Sequence, residues 1–102
     1  MTFTNKRLHE RFPVALDVSF EFEGRRAQGR SRDISLGGMF IETPSPLPYG
    51  TSVVIEVKLP AMNSPAKLQA TVRWSGREGM GVQFGTLRAK ETWAINQLVR
   101  ST

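Results

Sequence analysis

The chain contains no cysteine, a single histidine and no long hydrophobic run. The missing cysteines exclude a disulfide framework, a thiolate nucleophile and the common zinc sites that use thiolate ligands. With His9 as the one histidine, there is little scope for a metal cluster or a Ser-His-Asp arrangement. The longest uninterrupted aliphatic run, Val53-Val54-Ile55, is far too short to span a membrane. We therefore expect neither an enzyme nor a membrane-spanning protein.

The chain has the size and composition of one globular domain with a modest core. Its 102 residues are 39% hydrophobic and 23% charged, and residues 1–11 lack the apolar stretch of a signal peptide, which predicts a cytoplasmic protein. The 14 basic residues outnumber the 9 acidic ones, which gives a net charge of +5, and ten of the basic residues are arginine. This surplus of arginine favours an anionic partner, such as one that carries phosphate.

Alternation of apolar and polar residues predicts mainly β structure. From Val14 to Phe22 every second residue is apolar, a pattern typical of a strand with one solvent-exposed face. By the same alternation, Trp74 is expected to share the core face of its strand. Further strands are predicted at 26–34, 39–42, 53–59, 68–74 and 80–84.

The last segment changes to helical spacing. Apolar residues recur three and four apart between Ala94 and Val99, which predicts a C-terminal helix. Thr86 is expected to cap this helix, and Trp93 to seal it onto the sheet. Short strands at intervals of roughly 8–12 residues, joined by Gly and Pro turns, are typical of a small antiparallel barrel or sandwich. The helix would then cover an open end of this barrel or sandwich.

The first of two chemically informative motifs is the basic stretch at 6–11. Arg7 and Arg11 are four residues apart, and in either a helix or an extended chain this spacing turns both side chains to one side. Two guanidinium groups can therefore converge on one ligand. Taken alone, the stretch also fits a solvated basic leader without a specific ligand.

The second motif is Asp33-Ile34-Ser35-Leu36-Gly37-Gly38. Asp33 and Ser35 lie on the same side of an extended chain and offer acceptor oxygens and a hydroxyl donor, while the glycine pair lets the backbone approach a ligand closely. Arg32, which adjoins Asp33, is the hairpin arginine expected to come nearest to such a ligand. Taken alone, this motif also fits a tight turn.

In this order, the two motifs resemble the paired signature of the PilZ domain, the bacterial receptor module for cyclic di-GMP. Residues 42–44, 71–74 and 79–84 are also similar to the family's consensus, so the resemblance covers nearly the whole chain. It implies a six-stranded antiparallel β-barrel with a C-terminal α-helix. Residues 1–102 would form this single domain, with 1–12 a flexible ligand-binding N-terminal segment.

The resemblance also implies a ligand site made of both motifs. Arginine suits the O6 and N7 acceptors of guanine and the phosphates, and a carboxylate suits the donors of the guanine Watson–Crick edge. Lys6 resembles the basic residue of family members that bind a stacked, intercalated ligand dimer, because an additional cation helps to offset crowded phosphates. The expected ligand-binding residues are Lys6, Arg7, Arg11, Asp33, Ser35, Gly37 and Gly38.

The function that the resemblance implies is that of a receptor for cyclic di-GMP, without catalytic activity, metal or cofactor. Its N-terminal arginine segment would become ordered on ligand binding, and it would signal to a separate, unidentified effector protein in motility, polysaccharide or biofilm control. Two alternatives remain open: a ligand-independent protein-interaction adaptor and a small nucleic-acid-binding barrel that uses exposed aromatic residues. Nucleic acid is the less expected partner, because Phe20 and Phe22 alternate on the core face.

Overall fold

A computed structural model describes residues 11–100, in which seven strands precede one helix. The strands are β1 (Phe12–Pro13), β2 (Asp17–Phe22), β3 (Arg25–Ile34), β4 (Gly38–Glu42), β5 (Ser52–Val57), β6 (Ala66–Gly76) and β7 (Gly79–Phe84). The helix is α1 (Ala89–Arg100). Its 12 residues are too few to cross a membrane, and no other helix in the described part of the chain could do so.

The strands close into a barrel. Every pairing is antiparallel, the order is β1-β3-β2-β5-β6-β7-β4, and β4 also pairs with β3. This last pairing makes β2 to β7 a closed six-stranded barrel, with β1 added outside against β3. The predicted fold is therefore confirmed. The alternation pattern did not detect β1, because two residues are too few to show a period.

Alternate apolar side chains of β5, β6 and β7 fill the barrel, as predicted. Burying an aliphatic side chain of this kind contributes about 1.5–3 kcal/mol relative to leaving it exposed. The side chains from these three strands that are at most 7% exposed are Val53, Ile55, Val57, Ala66, Leu68, Ala70, Val72, Met80, Val82 and Phe84. The interior is thus packed with side chains, so a ligand has to bind on the outside.

The chain between β1 and β2 is tied to β3 by a buried serine. The Oγ of Ser31, which is 2% exposed, accepts a hydrogen bond from the Leu16 N–H at 2.9 Å and donates one to the Val14 carbonyl. The Leu16 N–H and the Val14 carbonyl bond to this side chain rather than to a neighbouring strand. Strand β2 therefore begins at Asp17, not at the predicted Val14. Because β1 lies just before this tied segment, Arg11 is held next to β3.

Helix α1 is capped differently from the prediction. The Arg88 carbonyl accepts the first helical hydrogen bond, from the Thr92 N–H at 2.9 Å, which makes Arg88 the N-cap residue. The Glu91 side chain reaches back and accepts a hydrogen bond from the Arg88 N–H at 3.0 Å. Thr86 is therefore not the cap, because the helix starts two residues further along the chain.

The predicted apolar stripe of the helix faces the barrel, whereas Trp93 does not. Ala94 and Ile95 are fully buried, but Trp93 is 52% exposed. Successive residues turn by about 100° around an α-helix, so Trp93 lies almost opposite the centre of the stripe. The expectation that Trp93 seals the helix onto the sheet is wrong.

Candidate functional site

A β-bulge in β3 turns two consecutive side chains outward. Ser31 is paired with Ile41 and Asp33 with Phe40, so that Arg32 is an extra residue without an opposite partner. A bulge of this kind interrupts the strict alternation and re-aims the side chains that follow it. As a result, Arg32 and Asp33 are neighbours in sequence and yet line the same surface cleft.

A second bulge, in β6, does the same on the other side of the β4–β7 pair. Val72 is opposite Val82, and Trp74 is opposite Gly81, which leaves Arg73 as the extra residue. Strict alternation placed Trp74 with Val72 in the core, but the extra residue shifts the alternation by one position. Trp74 is 51% exposed, so the prediction of a core tryptophan is wrong.

Both bulges border one cleft, here called the arginine cleft, with a volume of about 530 Å³. This volume is typical of small-molecule sites. Five residues predicted from the two motifs line it: Arg11, Asp33, Ser35, Gly37 and Gly38. Arg32 also lines it, together with six residues that the motifs did not reveal: Phe40, Arg73, Trp74, Gly81, Val82 and Gln83. The structure therefore brings the described parts of both motifs together.

An ion pair joins one residue from each motif. The Nε and Nη2 atoms of Arg11 both donate to Oδ1 of Asp33, at 3.0 and 2.7 Å, although the residues are 22 positions apart. Their side chains are 49% and 24% exposed, so the pair itself contributes about 1 kcal/mol or less to folding. Its importance is geometric, since it leaves Oδ2 of Asp33 without a hydrogen bond from the described residues. The carboxylate can hold Arg11 and still accept a ligand donor.

The remaining described residues of the second motif shape the loop. The Oγ of Ser35 is buried and accepts hydrogen bonds from the N–H groups of Gly37 at 3.0 Å and Gly38 at 3.2 Å. A Cβ atom at Gly38 would lie 2.0 Å from the Val82 carbonyl oxygen, so only glycine lets β4 approach β7 this closely. In the structure these three residues form the floor of the cleft, and their contact with a ligand stays a prediction.

Arg32 is held over the cleft by two carboxylates. Its Nη2 donates to Glu78 at 2.8 Å and its Nε to Glu42 at 2.9 Å. These hydrogen bonds, first to Glu78 and then to Glu42, raise the pKa of Arg32 above its ordinary value. Arg32 is therefore a permanent cation with a restrained position.

Two aromatic rings form the apolar part of the cleft. The ring centroids of Phe40 and Trp74 are 5.4 Å apart with an interplanar angle of 44°, and Arg32 Cζ lies 4.4 Å from the Phe40 centroid. Next to them, the Nε of Arg73 donates to Oε1 of Gln83 at 2.8 Å. The half-exposed Trp74 indole gives the cleft a π surface beside three guanidinium groups, an arrangement suited to a planar base attached to phosphate.

Two of the predicted site residues, Lys6 and Arg7, lie outside the described residues. Within 11–100, no group of three or more histidine, aspartate or glutamate side chains could hold a metal ion. The donors of the arginine cleft are mainly guanidinium groups, which repel cations. The cleft therefore suits an anion with hydrogen-bond donors of its own, which Asp33 can accept.

The structure thus combines a small antiparallel barrel, a terminal helix and a surface cleft lined by arginine. The family model for the PilZ domain matches residues 5–101, and the chain belongs to this family. The family membership confirms the resemblance that the two motifs indicated. A search of curated proteins found no match.

Solved structures share this fold at low sequence identity. The PilZ domain of CeSA from a cellulose synthesizing bacterium is 20% identical, with a TM-score of 0.68 over 88% of this chain and 94% of that chain. The PilZ domain of YcgR from Escherichia coli, solved with c-di-GMP, is 15% identical, with a TM-score of 0.72 over 94% and 90%. The Bacillus subtilis inhibitor of motility MotI/DgrA is 22% identical, with a TM-score of 0.71 over 92% of this chain and 49% of that chain. At these identities the similarity is one of fold.

Proposed function

We propose that this protein is a cytoplasmic, non-catalytic receptor for cyclic di-GMP and that the ligand binds in the arginine cleft. The observation that carries the proposal is the Arg11–Asp33 pair, which joins both motifs at one end of a cleft that has Trp74 at the other. Membership of the PilZ family supports it, as does the cyclic di-GMP bound to the PilZ domain of YcgR.

Each part of the ligand has a matching group in the cleft. The N1–H and amino donors of guanine suit Asp33, and the O6 and N7 acceptors suit the remaining donors of Arg11. The phosphates suit the guanidinium groups of Arg32 and Arg73, which present planar sets of N–H donors. The exposed indole of Trp74 suits stacking on a guanine ring.

We further propose that the N-terminal arginine segment, about 5–12, becomes ordered over the bound ligand. Arg11 contacts Asp33, and Phe12 pairs with Ile34, so the C-terminal end of the segment lies at the edge of the cleft. Four residues span at most roughly 14 Å, which brings Arg7 within reach of the same ligand. Ordering would change the surface that a separate effector protein reads, in motility, polysaccharide or biofilm control.

The test is isothermal titration with cyclic di-GMP, beside cyclic di-AMP and GMP. We expect saturable binding that is selective for cyclic di-GMP and a loss of about 10–100-fold in affinity for Arg11→Ala, because a charge-assisted contact is lost. Arg7→Ala should weaken binding in the same direction. The matched control is Arg30→Ala, since Arg30 is an exposed β3 arginine that does not line the cleft.

The stoichiometry of the titration tests a further part of the proposal. A ratio near two ligand molecules per protomer supports an intercalated dimer, in which Lys6 would help to offset the phosphate charge, and a ratio near one supports a single ligand. An absence of heat and of thermal stabilisation at high ligand concentration contradicts the receptor proposal.

A nucleic-acid-binding barrel is the second candidate, and the exposure of Trp74 beside Arg73 is the observation that favours it. Single-stranded nucleic acid binds to such aromatic and basic surfaces, with a strong dependence on salt concentration. Binding of a single-stranded RNA that weakens steeply with salt, without any response to cyclic di-GMP, would favour this candidate.

A further inference from the structure

The indole of Trp74 packs against the ring of Phe40 across the intervening strand β7. Trp74, Gly81 and Phe40 lie opposite one another on the adjacent strands β6, β7 and β4. A Cβ atom at Gly81 would lie 3.6 Å from Trp74 Cβ and 3.8 Å from Phe40 Cδ2. These are ordinary van der Waals distances, and the two rings meet beside Gly81 with their centroids 5.4 Å apart.

The far end of the indole is also in contact with the sheet. A Cβ atom at Gly76 would lie 2.5 Å from Cη2 of Trp74, so the six-membered ring lies directly on the Gly76 backbone. Trp74 is therefore laid along the β6–β7 hairpin between Gly76 and Phe40. The Phe40 ring packs against the indole from the other direction.

Phe40 in turn is covered by a restrained cation. Arg32 Cζ lies 4.4 Å from the Phe40 centroid, within the range of a cation–π contact. The hydrogen bonds from Arg32 to Glu42 on β4 and to Glu78 in the β6–β7 turn fix the guanidinium plane over the ring. The packing order is therefore Arg32 on Phe40 and Phe40 on Trp74.

We propose that Phe40, held by Arg32, is a positioning residue that fixes the Trp74 indole in the orientation used for stacking on a guanine. This inference rests on the proposed function in one respect, namely that Trp74 stacks on a base of the ligand. An indole that is fixed before binding loses less conformational freedom when the ligand binds. Loss of Phe40 is therefore expected to weaken binding through Trp74, without a direct contact of its own.

The first experiment needs no ligand. In a Trp93→Phe background Trp74 is the single tryptophan, because the chain has 2. We expect Phe40→Leu to shift the Trp74 emission to longer wavelength and to increase its quenching by acrylamide. Arg32→Lys, which keeps the charge and changes only an exposed side chain, should produce a smaller change in the same direction. The matched control is Phe22→Leu, a half-buried aromatic outside the arginine cleft.

The second experiment is a double-mutant cycle on the affinity for cyclic di-GMP, measured by titration. Phe40→Leu should weaken binding by about threefold to tenfold when Trp74 is present, which is the range of an aromatic pair. In a Trp74→Leu background the same substitution should have no further effect.

The outcomes separate the two proposals. Equal weakening in both backgrounds would overturn the positioning role, because it would show that Phe40 contacts the ligand itself. Unchanged emission and quenching of Trp74 in both Phe40→Leu and Arg32→Lys would also overturn it. If the unsubstituted protein does not bind cyclic di-GMP, the proposed function fails, whereas the fluorescence result still decides whether Phe40 fixes Trp74.

Discussion

Two surface clefts of nearly equal volume differ in what their strands present to a ligand. The arginine cleft, of about 530 Å³, lies between two bulges and is lined by Arg11, Arg32 and Arg73. The second, here called the acidic cleft, has about 510 Å³ and lies on β2, β5 and β6 where their register is regular. Among the described residues, its lining includes Glu21 and Glu23 but no arginine or lysine. Volume alone therefore does not distinguish the two clefts, whereas charge and interrupted register do.

The largest effect is expected on the free energy of unfolding, when one glycine in each cleft is replaced by alanine. Gly38→Ala puts Cβ 2.0 Å from the Val82 carbonyl oxygen, so β4 and β7 must separate, at a cost of about 3 kcal/mol in unfolding free energy. Gly24→Ala, in the acidic cleft, meets no atom of residues 11–100 within 4 Å and costs about 1 kcal/mol because its φ is +76°. Urea unfolding measures both, and equal losses would contradict this account.

A large effect on binding is expected from Asp33→Asn. This isosteric change removes the charge that holds Arg11 and that would accept the guanine donors, so the affinity for cyclic di-GMP should fall by about 10–100-fold. The stability should change by about 1 kcal/mol or less, because the ion pair is partly exposed. The matched variant in the acidic cleft is Glu23→Gln. A fall in affinity for Glu23→Gln, or none for Asp33→Asn, would show that the ligand binds elsewhere.

An intermediate effect on ligand affinity is expected when one aromatic ring is removed from the arginine cleft, with removal of a ring from the acidic cleft as the comparison. Trp74→Leu should weaken binding of cyclic di-GMP by about tenfold, since it removes the stacking surface. Phe22→Leu should leave the affinity unchanged and lower the unfolding free energy by about 1 kcal/mol, because Phe22 packs partly against the core. Titration and urea unfolding of both variants provide the check. Unaltered affinity in Trp74→Leu would exclude stacking on this residue.

The smallest effect is expected from Trp93→Phe. Trp93 is as exposed as Trp74, at 52% against 51%, but it lies on the outer side of α1 and does not line the arginine cleft. We expect a change in unfolding free energy below about 0.5 kcal/mol and no change in affinity. A measurable fall in affinity would show that the helix takes part in binding.

The strands could be predicted because alternation is a local property of the chain. Val53, Ile55 and Val57 all face the interior, as their spacing predicts. Trp74 could not be placed in this way, because the bulge at Arg73 arises only when β6 pairs with β7.

The candidate site was predicted in part. The order of the two motifs indicated that Arg11 and Asp33 share a ligand, and the structure joins them directly. Phe40 and Arg73 were missed, because neither belongs to a motif and both reach the cleft through pairings between distant segments. Ser35 was predicted to contact the ligand, but its burial was not predicted.

The amino-acid sequence by itself determined most of the strand positions, the helix, the mainly β class and the types of residue available to the site, because these depend on local spacing and composition. The tertiary structure decided which of those residues meet. The Arg11–Asp33 contact depends on β1 pairing with β3. The exposure of Trp74 depends on Arg73, the residue of β6 that has no partner in β7. Both result from hydrogen bonding between remote segments, which no local pattern specifies.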